Sequence, residues 1–310
     1  MRRYAKRRPA RRPKKRAPTR KYRRPTRPSY RRRKFGGMTK RSVLNATSRK
    51  KKNVMLTWSN QNATQTTISQ QPLILSGGTN ANLAWVMFRP TGMDLITNVT
   101  GNTVVQEAAR TATTCYMRGF AEHVRVETST GNPWFHRRIC FTSRDNVFIL
   151  PNPADATGTE RSQIASGVFE TSNGNQRLAA NMTIDTLSQT YLNQKGVLFK
   201  GAEGVDWDDV IIAPVDTARV DLKYDKTFVY KSGNERGILR EMKLWHPMNK
   251  NLVFDDDQSG VTEQTADYSV RDKRGMGNYH VLDIFSQGTS GATTDRLSIR
   301  FNSTMYWHEK

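Results

Sequence analysis

Arg296-Leu297-Ser298-Ile299-Arg300-Phe301 alternates polar and apolar side chains with a period of two, the pattern of a strand with one face on a core and the other in water. Val220, Leu222 and Tyr224 repeat it. Outward from these two, the chain breaks into short β-favouring runs separated by clusters of Gly, Asn, Pro, Asp and Ser. The runs are 54–58, 66–75, 83–89, 116–128, 134–142, 147–150, 178–184, 197–200, 219–230, 238–246, 278–285 and 296–307. Residues 150–159, 169–175 and 255–277 have loop composition. One helix is legible at 104–110, where Asn102 or Thr103 can cap a run with apolar residues at i, i+1, i+4 and i+5. Many strands, long loops and no internal repeat predict an all-β antiparallel sandwich with at most one or two short helices. The jelly roll is among its chief forms.

The charge is distributed very unevenly. Residues 1–52 hold 25 of the 50 Lys and Arg residues and no Asp or Glu, which leaves 25 basic against 27 acidic residues in 53–310, a formal −2. This predicts a basic arm, 1–52, on a near-neutral folded domain, 53–310. The arm offers almost no aliphatic side chains to offset the entropy of ordering, and Pro9, Pro13, Pro18, Pro25 and Pro28 interrupt any helix. It is expected to be disordered until a polyanion orders it. Within it the candidate nucleic-acid-binding residues are Arg2, Arg3, Arg7, Arg8, Arg11, Arg12, Lys14, Lys15, Arg16, Arg20, Lys21, Arg23, Arg24, Arg27, Arg31, Arg32, Arg33, Lys34, Arg49, Lys50, Lys51 and Lys52. Guanidinium forks grip phosphates bidentately, and Tyr4, Tyr22 and Tyr30 supply stacking faces for unpaired bases. Arg11, Arg12, Lys14, Lys15 and Arg16, with Arg31, Arg32, Arg33 and Lys34, also read as nuclear-import signals. Phe35-Gly36-Gly37 marks a joint between this dense part and a thinner basic bridge, 35–52.

A domain of about 258 residues can bury about 70–75% of its unfolded surface, so one core suffices. No signal-peptide h-region and no run of membrane-spanning length is present, so no membrane partner is expected. Cys115 and Cys140 are too few for a disulfide framework or a four-ligand zinc site and read as small core residues. The chain lacks a P-loop, a G-x-S-x-G elbow and H-E-x-x-H, and Gly275-Met276-Gly277 precedes a strand instead of the helix a dinucleotide site needs. His123, His136, His246, His280 and His308 stand singly. Glu122 and His123 are neighbours, but adjacent strand residues face opposite ways. Asp206, Asp208 and Asp209, and separately Asp255, Asp256 and Asp257, are solvated loop acids, calcium ligands, or interface partners for Arg137 or Arg240. No catalytic residue, cofactor, metal or small-molecule substrate is expected.

The stretch Cys115-Tyr116-Met117-Arg118-Gly119-Phe120-Ala121-Glu122, followed by Asn132-Pro133-Trp134-Phe135-His136-Arg137-Arg138-Ile139-Cys140-Phe141-Thr142, resembles the coat proteins of genomoviruses, small circular single-stranded DNA viruses. In that family a Met-x-Gly strand leads through a turn into a Pro-Trp…Trp-Arg-Arg-Ile-Cys-Phe strand; here His136 stands where a second Trp is usual. The C-terminal third resembles geminivirus coat proteins more loosely, through Lys243-Leu244-Trp245, Asn251-Leu252-Val253-Phe254, 278–285 and Leu297-Ser298-Ile299-Arg300-Phe301. The resemblance is spread over most of 104–307. It implies a single jelly roll of eight main strands that assembles, as a homo-oligomer of about sixty copies, around a single-stranded DNA genome. It also implies nuclear-import receptors as partners, and the virion and the host nucleus as locations. The arm by itself leaves open an RNA-virus capsid protein or a cellular ribosomal or nucleolar protein.

Overall fold

The computed structural model describes residues 38–60, 68–78, 83–97, 99–155, 159–183 and 187–310. The chain divides into two units, Met1–Val43 and Leu44–Lys310. The first is described only over 38–43, where helix α1 (Lys40–Thr47) begins.

Eight long strands carry the second unit: β1 (Arg49–Trp58), β2 (Leu83–Phe88), β3 (Thr114–Thr128), β4 (Trp134–Ser143), β5 (Asp221–Tyr230), β6 (Leu239–Val253), β7 (Asn278–Gln287) and β8 (Arg296–Glu309). One sheet contains the order β6-β3-β8-β1 and the other is β5-β4-β7-β2. Every neighbouring pair in both is antiparallel. The pairs β1–β8, β2–β7, β3–β6 and β4–β5 therefore lie alternately in the larger and the smaller sheet. That is a long antiparallel ribbon rolled up on itself, the jelly roll. The larger sheet continues through a hairpin, Val168–Thr171 and Gly174–Leu178, whose second strand pairs parallel with the end of β1, while Leu73–Ser76 pairs with β8.

The two sheets bury their residues differently. In β8 burial alternates from Leu297 to Glu309, as the sequence predicts for a sheet with one wet face. In β4 and β7 nearly every residue is buried. Their outer face is covered by the segment between β4 and β5, which contains α2 (Thr159–Ser166) and α3 (Ser188–Leu198). Leu198, Phe199, Trp207 and Ile211 of this segment pack with Trp85, Ile139, Phe141 and Ile284 of the smaller sheet.

Several local expectations are corrected. The helix expected at 104–110 is a series of turns, because Arg110 is drawn into the protein, where it pairs with Asp256 at 2.6 Å and bonds the carbonyls of Met93 and Ala266. Residues 147–150 and 197–200 are not strands: a 3-10 turn occupies Asn146–Phe148 and α3 runs to Leu198. The strand expected at 178–184 lies earlier, at Gly174–Leu178, and it and Val168–Thr171 run into 169–175, a segment expected to be loop. Helix α3 escaped detection because its buried face is polar: Asp155 accepts from the Thr190 N–H and hydroxyl, and Gln194 accepts from the Trp85 indole. With α1 and α2 this makes three helices among the described residues, one more than expected.

Candidate nucleic-acid interface

Arg2 through Lys34, including Tyr22, Tyr30 and both import clusters, lie outside the described residues. The last four basic residues of the expected arm are instead part of the larger sheet, because β1 starts at Arg49 and its backbone is paired with β8 along its length. Strand alternation then separates them. Lys50 and Lys52 face solvent, opposite His308 and Tyr306 of β8, while Lys51 points inward with Asn53 and Met55.

Lys51 is therefore turned into the protein, away from solvent. Its ammonium lies 2.9 Å from a Glu309 carboxylate oxygen and also donates to the Ala109 carbonyl and Thr111 hydroxyl. Burial would raise the Glu309 carboxyl, but donors from Thr111, Trp307 and Lys51 outweigh it and hold the group below its ordinary range. A charge this well satisfied closes the seam between β1 and β8 and stays inside.

The densest set of titratable groups sits between the sheets. Glu122 of β3, Arg138 of β4, Asp283 of β7 and Arg177 of the hairpin are all buried. Arg138 bonds both Asp283 oxygens, at 2.7 and 2.9 Å. Arg177 bridges Glu122 and, at 2.7 Å, Asp283. The Arg177 guanidinium also lies 3.5 Å from the centroid of the Phe301 ring and 4.7 Å from that of Phe88. His136 places Nε2 2.7 Å from Asp283 and Nδ1 2.8 Å from the Tyr230 hydroxyl. Burial opposes ionisation of both acids, yet Arg138 and Arg177 hold Glu122 below its ordinary value, and Arg138 with His136 holds Asp283 well below. Burial also pushes His136 down more than Asp283 lifts it. The neutral tautomer that donates from Nε2 and accepts at Nδ1 satisfies both partners.

This constellation has the residue types of an active site and the geometry of a clamp. Each acid faces two guanidiniums, and none of the four side chains is exposed. It forms a polar layer between two apolar clusters, one around Val124, Trp134, Phe285 and Ile299 and one around Phe120, Cys140, Val281 and Met305. Sequence reading missed it because its members lie far apart in the chain. The one local signal was Glu122 on the buried side of an alternating strand.

Several other residues singled out in the sequence are also used internally. Arg137, expected as an interface partner, grips Asp225 through two bonds and the Val210 and Ala213 carbonyls at 2.8 and 2.7 Å, fastening the covering segment to β4. Asp256 is held by Arg110, and Asp206 and Asp209 accept backbone N–H groups of Ala202 and Ile211. Among the described residues no group of three or more His, Cys, Asp or Glu is placed to hold a metal, and no helix is long and apolar enough to cross a membrane. Cys115 and Cys140 are buried free thiols; burial pushes Cys140 up to about 12.

No family model and no curated protein matches the chain. Among solved structures it aligns with unassembled VP1 pentamers of KI polyomavirus and of a point mutant of Washington University polyomavirus. Each is 11% identical with a TM-score of 0.12; the alignments cover 86% and 85% of this chain and 96% and 94% of theirs. At that score they carry no argument, and the fold rests on the strand order itself.

Proposed function

We propose that this chain is a viral coat protein that assembles into a closed icosahedral shell and packages a single-stranded DNA genome. The observation that carries the reading is a combination: a jelly roll that is formally near-neutral, preceded by a segment, 1–48, with 21 of the 50 basic residues and no acid. A near-neutral body lets like subunits pack without mutual repulsion, while the arm condenses phosphate by a salt-dependent, sequence-independent attraction. With the four basic residues of β1 set aside, residues 1–48 keep 21 Lys and Arg, so a shell of about sixty copies would neutralise about 1,300 phosphates. The resemblance to genomovirus coat proteins supports DNA as the cargo and nuclear import by the Arg11–Arg16 and Arg31–Lys34 clusters. The role is read as structural, and the cluster of Glu122, Arg138, Arg177 and Asp283 fits that reading because it is buried and closed to substrate.

Negative-stain microscopy of the full-length protein beside a form lacking residues 1–34 tests this. Closed particles are expected from the full chain, with packaged nucleic acid lost or greatly reduced in the truncation. Protein that stays monomeric with DNA at low salt would overturn the coat-protein reading and favour a cellular nucleic-acid-binding protein. Digestion of the packaged material by DNase, not RNase, is the expected result; the reverse would make it an RNA capsid.

A further inference from the structure

The outer face of the larger sheet faces solvent and is chemically uneven. Read across from β6 to β1, one row is Trp245, Ala121, Thr304 and Val54, and the next is Pro247, Gly119, Tyr306 and Lys52. A third brings Asn251, Tyr116, His308 and Lys50 together. Small residues at the centre let an indole lie on the sheet: a Cβ on Gly119 would fall 2.6 Å from the Trp245 ring. Trp245 nonetheless keeps 47% of its surface exposed, and its ring centroid is 5.9 Å from that of Tyr306. A second aromatic pair, Tyr116 and His308, lies at 5.8 Å.

Cations ring these faces. Lys50, Lys52, Arg118 and Lys243 are exposed, and none forms an ion pair among the described residues. None of the outward residues in the three rows is acidic; Glu241 and Glu127 stand at the far end, against His123 and Arg125. The local field is felt by His308, whose imidazole is pushed down by burial and then by Lys50 and Arg118. At that far end is a depression of about 240 Å³ lined by Leu56, His123, Arg125, Glu241, Arg300 and Asn302.

We propose that this face, centred on Trp245 and Tyr306 and ringed by Lys50, Lys52, Arg118 and Lys243, docks a single-stranded polynucleotide by base stacking and phosphate pairing. Exposed aromatic rings among cations on a β-sheet are the arrangement that binds unpaired bases with little sequence preference. Duplex DNA hides the base faces such rings need. The inference deepens the coat-protein reading by giving the genome a second, ordered contact besides the arm. The two contacts differ physically: the arm acts through charge and weakens steeply with salt, whereas stacking persists.

Ultraviolet crosslinking of a bromodeoxyuridine-substituted oligothymidylate to the full-length protein, followed by peptide mass spectrometry, tests the proposal. Crosslinks at Trp245 or Tyr306 are expected beside those in the arm. Affinity for oligothymidylate at 0.5 M salt should fall about tenfold in Trp245→Ala and recover in Trp245→Phe. Crosslinks confined to residues 1–34, with affinity unchanged in Trp245→Ala, would overturn the sheet site and leave the coat-protein reading intact. Particles lost in Trp245→Ala while oligonucleotide binding is unchanged would make the face a contact between copies and equally overturn it. Absence of both particles and crosslinks would sink the coat-protein reading itself.

Discussion

Arg138 of the smaller sheet places Nη1 2.5 Å from Oε2 of Glu122 on the larger, so a charge pair fully shielded from solvent crosses the sandwich. Arg177 and Asp283 complete the set. Four buried charges that neutralise one another are tolerated as a unit, but removing one strands its partners without water. Glu122→Gln and Arg138→Met should each lower unfolding free energy by about 3–5 kcal/mol. A packed apolar replacement of all four should cost far less than the sum. Urea unfolding of the unassembled protein checks this; additive losses would show that the four do not act as a unit.

Acid should destabilise the chain in two stages. Burial, with Arg138 adding to it, depresses the His246 imidazole to about 4, and burial holds His280 well below its ordinary value. A depressed histidine is neutral in the fold and protonates first in the unfolded chain, so its stabilisation is complete above about pH 6.5 and is lost as pH falls toward the folded value. His246 alone should account for about 3 kcal/mol between pH 6.5 and 4. Glu122 and Asp283 are depressed carboxylates, so their contribution is lost only below about pH 4. Urea midpoints at pH 7, 5.5 and 4 should fall throughout, and His246→Asn should flatten the upper stage; an unchanged slope would contradict it.

What the sequence made legible follows from which surfaces meet water. Strand β8 announced itself because one face of its sheet is wet, so Leu297, Ile299 and Phe301 alternate with polar partners. Strands β4 and β7 are buried on both faces and show no alternation, yet their Ile, Val and Phe content still marked them as strands. In β5 the alternation misled: a register shift between Leu222 and Tyr224 sends Leu222 to the covered outer layer and Tyr224 between the sheets. The charge network was invisible because composition cannot say that residues 122, 138, 177 and 283 converge. Within Arg49–Lys52, a uniform basic run hid the one residue that turns inward.

Lys51 and its two neighbours should therefore behave as different kinds of residue. Lys51→Ala leaves Glu309 buried without its cation and should cost about 3–5 kcal/mol, seen as a lower urea midpoint. Lys50→Ala and Lys52→Ala remove exposed charges and should leave stability within about 0.5 kcal/mol. They should instead weaken oligonucleotide binding and reduce its salt dependence, by about one charge each. Equal stability for all three variants would mean that Lys51 is not held inside.

Gly119→Ala asks whether the bare patch of backbone under Trp245 matters. The added methyl would lie 2.6 and 2.7 Å from two atoms of the indole and 2.8 Å from the His246 carbonyl, so the ring must lift and the strand pair must adjust. Overpacking of this kind costs about 1–3 kcal/mol. If the indole acts in the position Gly119 allows, Gly119→Ala should weaken oligothymidylate binding at high salt nearly as much as Trp245→Ala. The double variant should then bind no worse than Trp245→Ala alone, since both changes remove one interaction. Losses that add would place the effect of Gly119 elsewhere in the sheet, and titration of the three variants at 0.5 M salt separates the two outcomes.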